Sequence, residues 1–137
     1  MADYKKPLPT PTPDTKQYWD GLKQHSVTIQ HCRNCNRYQH FPRSLCVECG
    51  STDIEWSKVS GKGKIYSYTF NHRPPAGFEE ADTPVSIALV QLDEGPKILT
   101  NIVGVPAGDP SIKIDARVEP VFEDVTPQVT LLKYKLA

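Results

Sequence analysis

The chain has 137 residues, and its 16 lysines and arginines balance 16 aspartates and glutamates. That length suits one ordinary domain, or a small module joined to a compact barrel. The zero net charge argues against a protein that coats nucleic acid, which carries a strong basic excess. No run approaches the roughly 18 apolar residues that a membrane span needs.

Thirteen prolines and eight glycines favour short strands and turns over long helices. The start, Met-Ala-Asp-Tyr-Lys-Lys, has no apolar core of the signal-peptide kind, so the cytoplasm is the expected location. Charge is unevenly spread: eleven Lys or Arg face six Asp or Glu up to Arg73 (+5), and five face ten after it (−5). Two readings fit this: modules that complement each other electrostatically, or a first half that meets an anion such as a phosphorylated cofactor.

Residues 1–13 carry prolines at 7, 9, 11 and 13. Each fixes its own φ and drives its predecessor out of the helical region, which predicts an extended arm, disordered or laid along another surface. A short helix is expected near Asp14 to Lys23, capped by Thr12 or Asp14. Its Tyr18, Trp19 and Leu22 are spaced to share faces, and two large aromatics on so short a helix need the ribbon, the barrel or a partner chain to cover them. Residues 26–30 read as a strand that leads into the cysteines.

The cysteines Cys32, Cys35, Cys46 and Cys49 follow the spacing C-x2-C-x10-C-x2-C. Two residues between cysteines let both thiolates of a knuckle reach one ion, and two knuckles supply the four sulfurs of a closed tetrahedral zinc site. A disulfide framework suits a cytoplasmic chain poorly, and a redox pair would need a βαβ unit that the sequence lacks. Iron fits the same rubredoxin-like cage. A closed four-thiolate site has no open position for a water nucleophile, so the metal is expected to be structural. His31 and His40 flank the knuckles and read as surface residues.

After Gly61 the pattern becomes strands: Lys64 to His72, Pro84 to Leu92, Lys97 to Val103, Lys113 to Phe122 and Val129 to Leu136. Five strands without a long helix predict an OB-type barrel, with a small sandwich as the alternative. Tyr66, Tyr68 and Phe70 alternate on one face. They are expected to fill the barrel; on an OB sheet such a stripe can also stack bases.

Catalytic motifs are sparse. There is no G-x-S-x-G, Walker loop or G-x-G-x-x-G, and no cysteine is left over as a nucleophile. His72 stands at a strand end and could draw on Glu79, Glu80 or Asp82 as a general base, but nothing in the sequence fixes that geometry.

Taken in order, T-x-x-Y-W-x-G-L (Thr15 to Leu22), Q-H-C-R-N-C, F-P-R-S-L-C-V-E-C-G-S (Phe41 to Ser51), E-W-S-K-V-S-G-K-G-K-I-Y-S-Y-T (Glu55 to Thr69) and P-x-x-I-A-L-V-x-L-x-E-G (Pro84 to Gly95) carry a resemblance. The chain resembles the bacterial and archaeal zinc-ribbon plus OB-fold proteins, formerly a domain of unknown function, that accompany acyl-CoA enzymes. The similarity covers the chain beyond the proline arm. It implies a small, non-catalytic subunit of a thiolase or thiolase-like enzyme that braces the partner's active site and, in some assemblies, lines the acyl-CoA site. The four cysteines carry over as zinc ligands.

The expected fold is therefore mainly β: a proline arm (1–13), a helix and rubredoxin-like zinc ribbon (14–60) and a five-stranded OB-fold (61–137). The expected function is a zinc-binding accessory subunit in a hetero-oligomer with a thiolase-like chain, acting in thiolysis, Claisen condensation or retro-aldol cleavage. Aromatic and arginine side chains anchor such interfaces, which nominates Tyr18, Trp19, Leu22, Arg43, Arg73 and Phe78 as partner contacts. The phosphates of coenzyme A or an acyl-CoA nominate Lys62, Lys64 and Arg73 as cofactor contacts. The rivals are a single-strand nucleic-acid module and a free-standing thioester enzyme centred on His72.

Overall fold

The computed structural model describes residues 6–73, 76–79 and 83–137. Its elements are α1 (Lys16–Lys23), β1 (Val27–Cys32), β2 (Tyr38–Gln39), β3 (Ile54–Val59), β4 (Gly63–Asn71), β5 (Val85–Leu92), β6 (Lys97–Thr100), β7 (Ile102–Val103), β8 (Arg117–Asp124) and β9 (Thr130–Leu136). They form a three-stranded sheet, β2-β1-β3, and a six-stranded sheet, β6-β5-β4-β8-β9-β7. The first carries the cysteines and the second is the OB-fold.

The helix begins at Thr15, whose hydroxyl makes no capping bond to the helix. Instead Thr15 Oγ1 accepts from the Thr12 N–H at 2.9 Å, and the Thr12 carbonyl accepts the Lys16 N–H. Neither Thr12 nor Asp14 is the cap the sequence suggested; a local turn anchored on buried Thr15 starts the helix. Tyr18 and Leu22 point into the protein and are almost fully buried.

The segment Lys97 to Val103, expected as one strand, is two. β6 pairs antiparallel with β5, and β7 pairs parallel with β9. Asn101 makes the transition: its side-chain amide donates to the Ser86 carbonyl at 2.8 Å, and its own carbonyl accepts from the Tyr134 N–H. The two edges of the sheet are thus consecutive in the chain, and Thr100 Oγ1 donates to the Leu132 carbonyl across the gap. This contact sets the two edge strands side by side, while β4 pairs with β8 only at Gly63 and Lys64, as in a partly open barrel.

The register of β4 on β5 shifts between Ile65 and Ser67. An extra residue in a bulge swings its neighbours off strict alternation. Ile65 is completely buried, while Tyr66 and Tyr68 are exposed and only Phe70 packs against the core. The expectation that all three rings fill the barrel is therefore corrected.

Val27 and Ile29 of β1 join Ile65, Val90, Leu92, Val118 and Tyr134 in one core. Each such side chain contributes about 2 kcal/mol by leaving water, so the ribbon sheet is fastened to the barrel. At the junction the Tyr134 hydroxyl donates to the Gly61 carbonyl at 2.6 Å. Gly61 has φ +76°, and a Cβ there would lie 2.8 Å from Val27 Cγ2. Only glycine fits this crossing without strain.

Candidate metal centre

The sulfurs of Cys32, Cys35, Cys46 and Cys49 all lie within 4.8 Å of one another. Cys32 Sγ is 3.6 Å from Cys49 Sγ, and Cys35 Sγ is 3.6 Å from Cys46 Sγ. Four sulfurs around a tetrahedral zinc at the usual bond length stand about 3.8 Å apart, so the cage fits the ion.

Two copies of one turn build the cage. The Cys32 N–H donates to the Arg37 carbonyl and the Cys46 N–H to the Ser51 carbonyl, at 2.8 and 2.9 Å. The Asn36 N–H returns to the Cys32 carbonyl, and the Gly50 N–H to that of Cys46. Asn36 and Gly50 occupy the same place in each knuckle and both are left-handed, at φ +63° and +76°. Asparagine and glycine tolerate that region best. Asn36 went unnoticed in the sequence because it is not a glycine, although its position directly after C-x2-C was a usable signal.

Donors surround the sulfurs. The Glu48 N–H approaches Cys46 Sγ at 3.4 Å, and the Asn34 amide approaches Cys49 Sγ at 3.5 Å. The Asn34 amide and the Ser51 N–H bring the Cys49 thiol down to about 6, and the Cys49 and Glu48 N–H groups lower that of Cys46. Cys35 is held the other way: against a lowering from the Arg37 backbone, desolvation and its three neighbouring sulfurs push it up to about 12. Four thiols this close do not all ionise without a cation among them, and a divalent ion that binds thiolates satisfies that demand. The four cysteines thus support a structural zinc, which when bound neutralises the thiolates and ties the two knuckles together.

Two buried glutamines position the loop between the knuckles. Gln30 and Gln39 are cross-strand partners. Gln30 Nε2 donates to the Arg43 carbonyl at 2.7 Å, and its Oε1 accepts the Arg43 N–H at 2.8 Å. Gln39 Nε2 donates to the Leu45 carbonyl, and its Oε1 accepts the Val47 N–H. The loop therefore runs on a fixed track from Phe41 to the second knuckle. His31 is not a free surface residue, since its Nδ1 lies 2.6 Å from Glu55. Nor is His40: its Nδ1 is buried without a partner, and burial brings its imidazole down to about 4.

The other nominated residues scatter. Tyr18 and Leu22 are spent in the interior, which leaves almost none of either side chain for another chain to touch. Trp19 is half-buried, and Arg43 is exposed on the glutamine-held loop. Phe78 is half-buried beneath Lys6, whose ammonium lies 4.6 Å from the ring centroid. Lys62 and Lys64 flank Gly63 at the start of β4, with Lys64 paired to Asp115 at 3.5 Å. Arg73 lies beyond the other end of β4, roughly 25–30 Å away along an extended strand. The three cations do not form one phosphate site. His72 is exposed; of its suggested carboxylate partners, Glu80 and Asp82 lie outside the described residues.

A family model described as the ChsH2 rubredoxin-like zinc ribbon domain matches residues 19–55, and one described as the ChsH2 C-terminal OB-fold domain matches residues 56–123. A DUF35 domain-containing scaffold protein of Methanocaldococcus jannaschii is 35% identical over 78% of this chain and 75% of its own length. The chain belongs to the ChsH2/DUF35 family. Within it, a probable enoyl-CoA hydratase alpha subunit of Thermomonospora curvata is 35% identical over 96% of this chain, which spans 40% of that relative's length. The benzoylsuccinyl-CoA thiolase subunit BbsA of Thauera aromatica is 29% identical over 76% of this chain and 70% of its own. A solved chain from an Ltp2-ChsH2(DUF35) aldolase superposes with a TM-score of 0.82 at 32% identity, covering 94% of this chain and 98% of that one. No helix among the described residues is long and apolar enough to cross a membrane.

Proposed function

We propose that this ChsH2/DUF35 chain is a zinc-binding accessory subunit, without chemistry of its own, of an acyl-CoA thiolase or thiolase-like carbon–carbon bond enzyme. The likeness to the ChsH2(DUF35) chain of an aldolase, over 94% of this chain, carries the reading. The thiolase subunit among its relatives supports the acyl-CoA class. The chain works in the cytoplasm as part of a hetero-oligomer, with residues 14–60 and 61–137 as its two modules. It braces the partner's active site, and the partner supplies the nucleophile. Acyl-CoA is shared with the partner, and Lys62, exposed and with its charge also acting on Asp93, is a nominated contact to its phosphates.

Turnover tests this directly. The isolated zinc-loaded chain should release no free thiol from acetyl-CoA or acetoacetyl-CoA, and adding it to the purified partner should raise the partner's rate. Turnover by the isolated chain that disappears in His72→Ala would overturn the reading in favour of a free-standing enzyme.

The exposure of Tyr66 and Tyr68 favours a second reading, single-strand nucleic-acid binding by base stacking. It requires salt-sensitive binding of oligonucleotides, which fluorescence anisotropy measures.

A further inference from the structure

A cleft of about 410 Å³ opens between α1, the 40–41 turn and strands β5 and β6, lined by Trp19, His40, Phe41, Leu89 and Leu99, with Lys97 beside them. A second concavity of about 170 Å³ shares Leu89 and Leu99 and continues over Ser67 and Ile87. The two form one face. Leu99 is 71% exposed, Phe41 53% and Tyr66 51%. On the outer side of an antiparallel sheet polar residues are expected, so a run of large apolar side chains marks a surface that another molecule covers.

The face is rigid. Leu89 and Leu99 are paired across the β5–β6 ladder. Phe41 stands at the head of the loop that Gln30 grips through both backbone groups of Arg43. His40, held neutral by burial, adds an uncharged wall. Little ordering is therefore left to be done when the surface is covered.

Its charge selects the occupant. No carboxylate lines either concavity among the described residues. Lys97 lies 4.5 Å from the Tyr66 ring centroid, and Arg43 is exposed on the adjoining loop. A two-fold pairing of this face with a second copy would set these cations against a surface of the same sign. A different chain, with an apolar anchor rimmed by carboxylates, complements it.

We propose that this face, from Trp19 and Phe41 across Leu89 to Leu99, is where the acyl-CoA enzyme subunit docks, placing an apolar side chain in the cleft and carboxylates against Lys97 and Arg43. The assignment rests on the accessory-subunit reading above. It joins the metal centre to assembly, because the inter-knuckle loop forms one wall of the docking cleft.

The test uses the full zinc-loaded chain with the thiolase-superfamily chain that co-purifies with it. Amide hydrogen exchange should slow in residues 40–45 and 87–99 on complex formation. Leu99→Glu and Phe41→Ser should each weaken the complex about tenfold or more, the usual loss at a central anchor. Gln128→Glu, which adds the same charge as Leu99→Glu in the β8–β9 turn, should leave affinity unchanged. A complex that forms with protection elsewhere, and that tolerates both substitutions, overturns the docking face and leaves the accessory role standing. Failure of any thiolase-superfamily chain to bind overturns the accessory role and this surface with it. Self-association lost in Leu99→Glu, or oligonucleotide binding lost in Tyr66→Ala, assigns the face to another occupant and equally overturns the proposal.

Discussion

The side-chain amide of Gln39 donates to Gln30 Oε1 at 2.7 Å inside the ribbon, and both side chains are buried. That one bond locks two glutamines into a unit that satisfies four backbone groups of residues 43–47. Replacing Gln39 by leucine keeps much of the volume but strands the Leu45 carbonyl and the Val47 N–H. A buried group left without a partner costs about 1–3 kcal/mol, so Gln39→Leu should lower unfolding free energy by roughly 2–4 kcal/mol. Urea denaturation of the zinc-loaded protein measures it; a change within experimental error would show that water takes over these bonds.

The metal centre makes its own prediction. Cys46→Ser removes a buried sulfur from a site with no spare ligand. Metal content by elemental analysis should fall to near nothing, with a large drop in melting temperature, because the ion's binding free energy is folding free energy. The wild-type protein should be colourless with zinc. Strong visible absorption as isolated would instead assign iron to the cage.

His40 gives a pH dependence. Its imidazole is brought from 6.5 to about 4 by burial, so the unfolded chain binds the proton first as pH falls. The stability this adds is complete above the unfolded value and is lost as pH drops through the folded one, a change on the order of 3 kcal/mol. His40→Phe, with no group to titrate, should flatten that part of the profile. Equal slopes in the two proteins, with zinc content checked at each pH, would place the titration elsewhere.

The Tyr134–Gly61 contact tests the joint between ribbon and barrel. Tyr134→Phe should cost about 1–2 kcal/mol for one buried hydrogen bond. Gly61→Ala should cost more, about 2–3 kcal/mol, since it adds left-handed strain to the approach of Val27. If Gly61→Ala proved the milder of the two by thermal denaturation, the close approach would not be constraining the joint.

These sites show where the sequence was readable. The knuckles could be read because chelation by two thiolates sets a spacing that few other functions share. The barrel could be read from five short strands set between turns with no long helix among them. Alternation identifies two faces but not which one is inside, and the bulge after Ile65 separates Tyr66 from Tyr68 and Phe70, so the three rings do not form one buried stripe. β3 was invisible because the ribbon leaves most of it half-buried, with no apolar rhythm. Tyr18 and Leu22 suit a partner interface by residue type, but they turn inward, where α1 packs on β1 and β9 and Tyr18 meets the His40 ring. Gln30 and Gln39 look like surface residues in one dimension. Only the pairing of β1 with β2 makes them a buried unit, and that pairing depends on the knuckle between them.

The most direct measurement is native mass spectrometry of the protein affinity-purified from its own cells, with zinc counted in the same spectrum. The predicted result is a stable complex with a thiolase-like chain, carrying one zinc for each copy of this subunit. A metal-bound chain that arrives alone, or with nucleic acid, would contradict the accessory role.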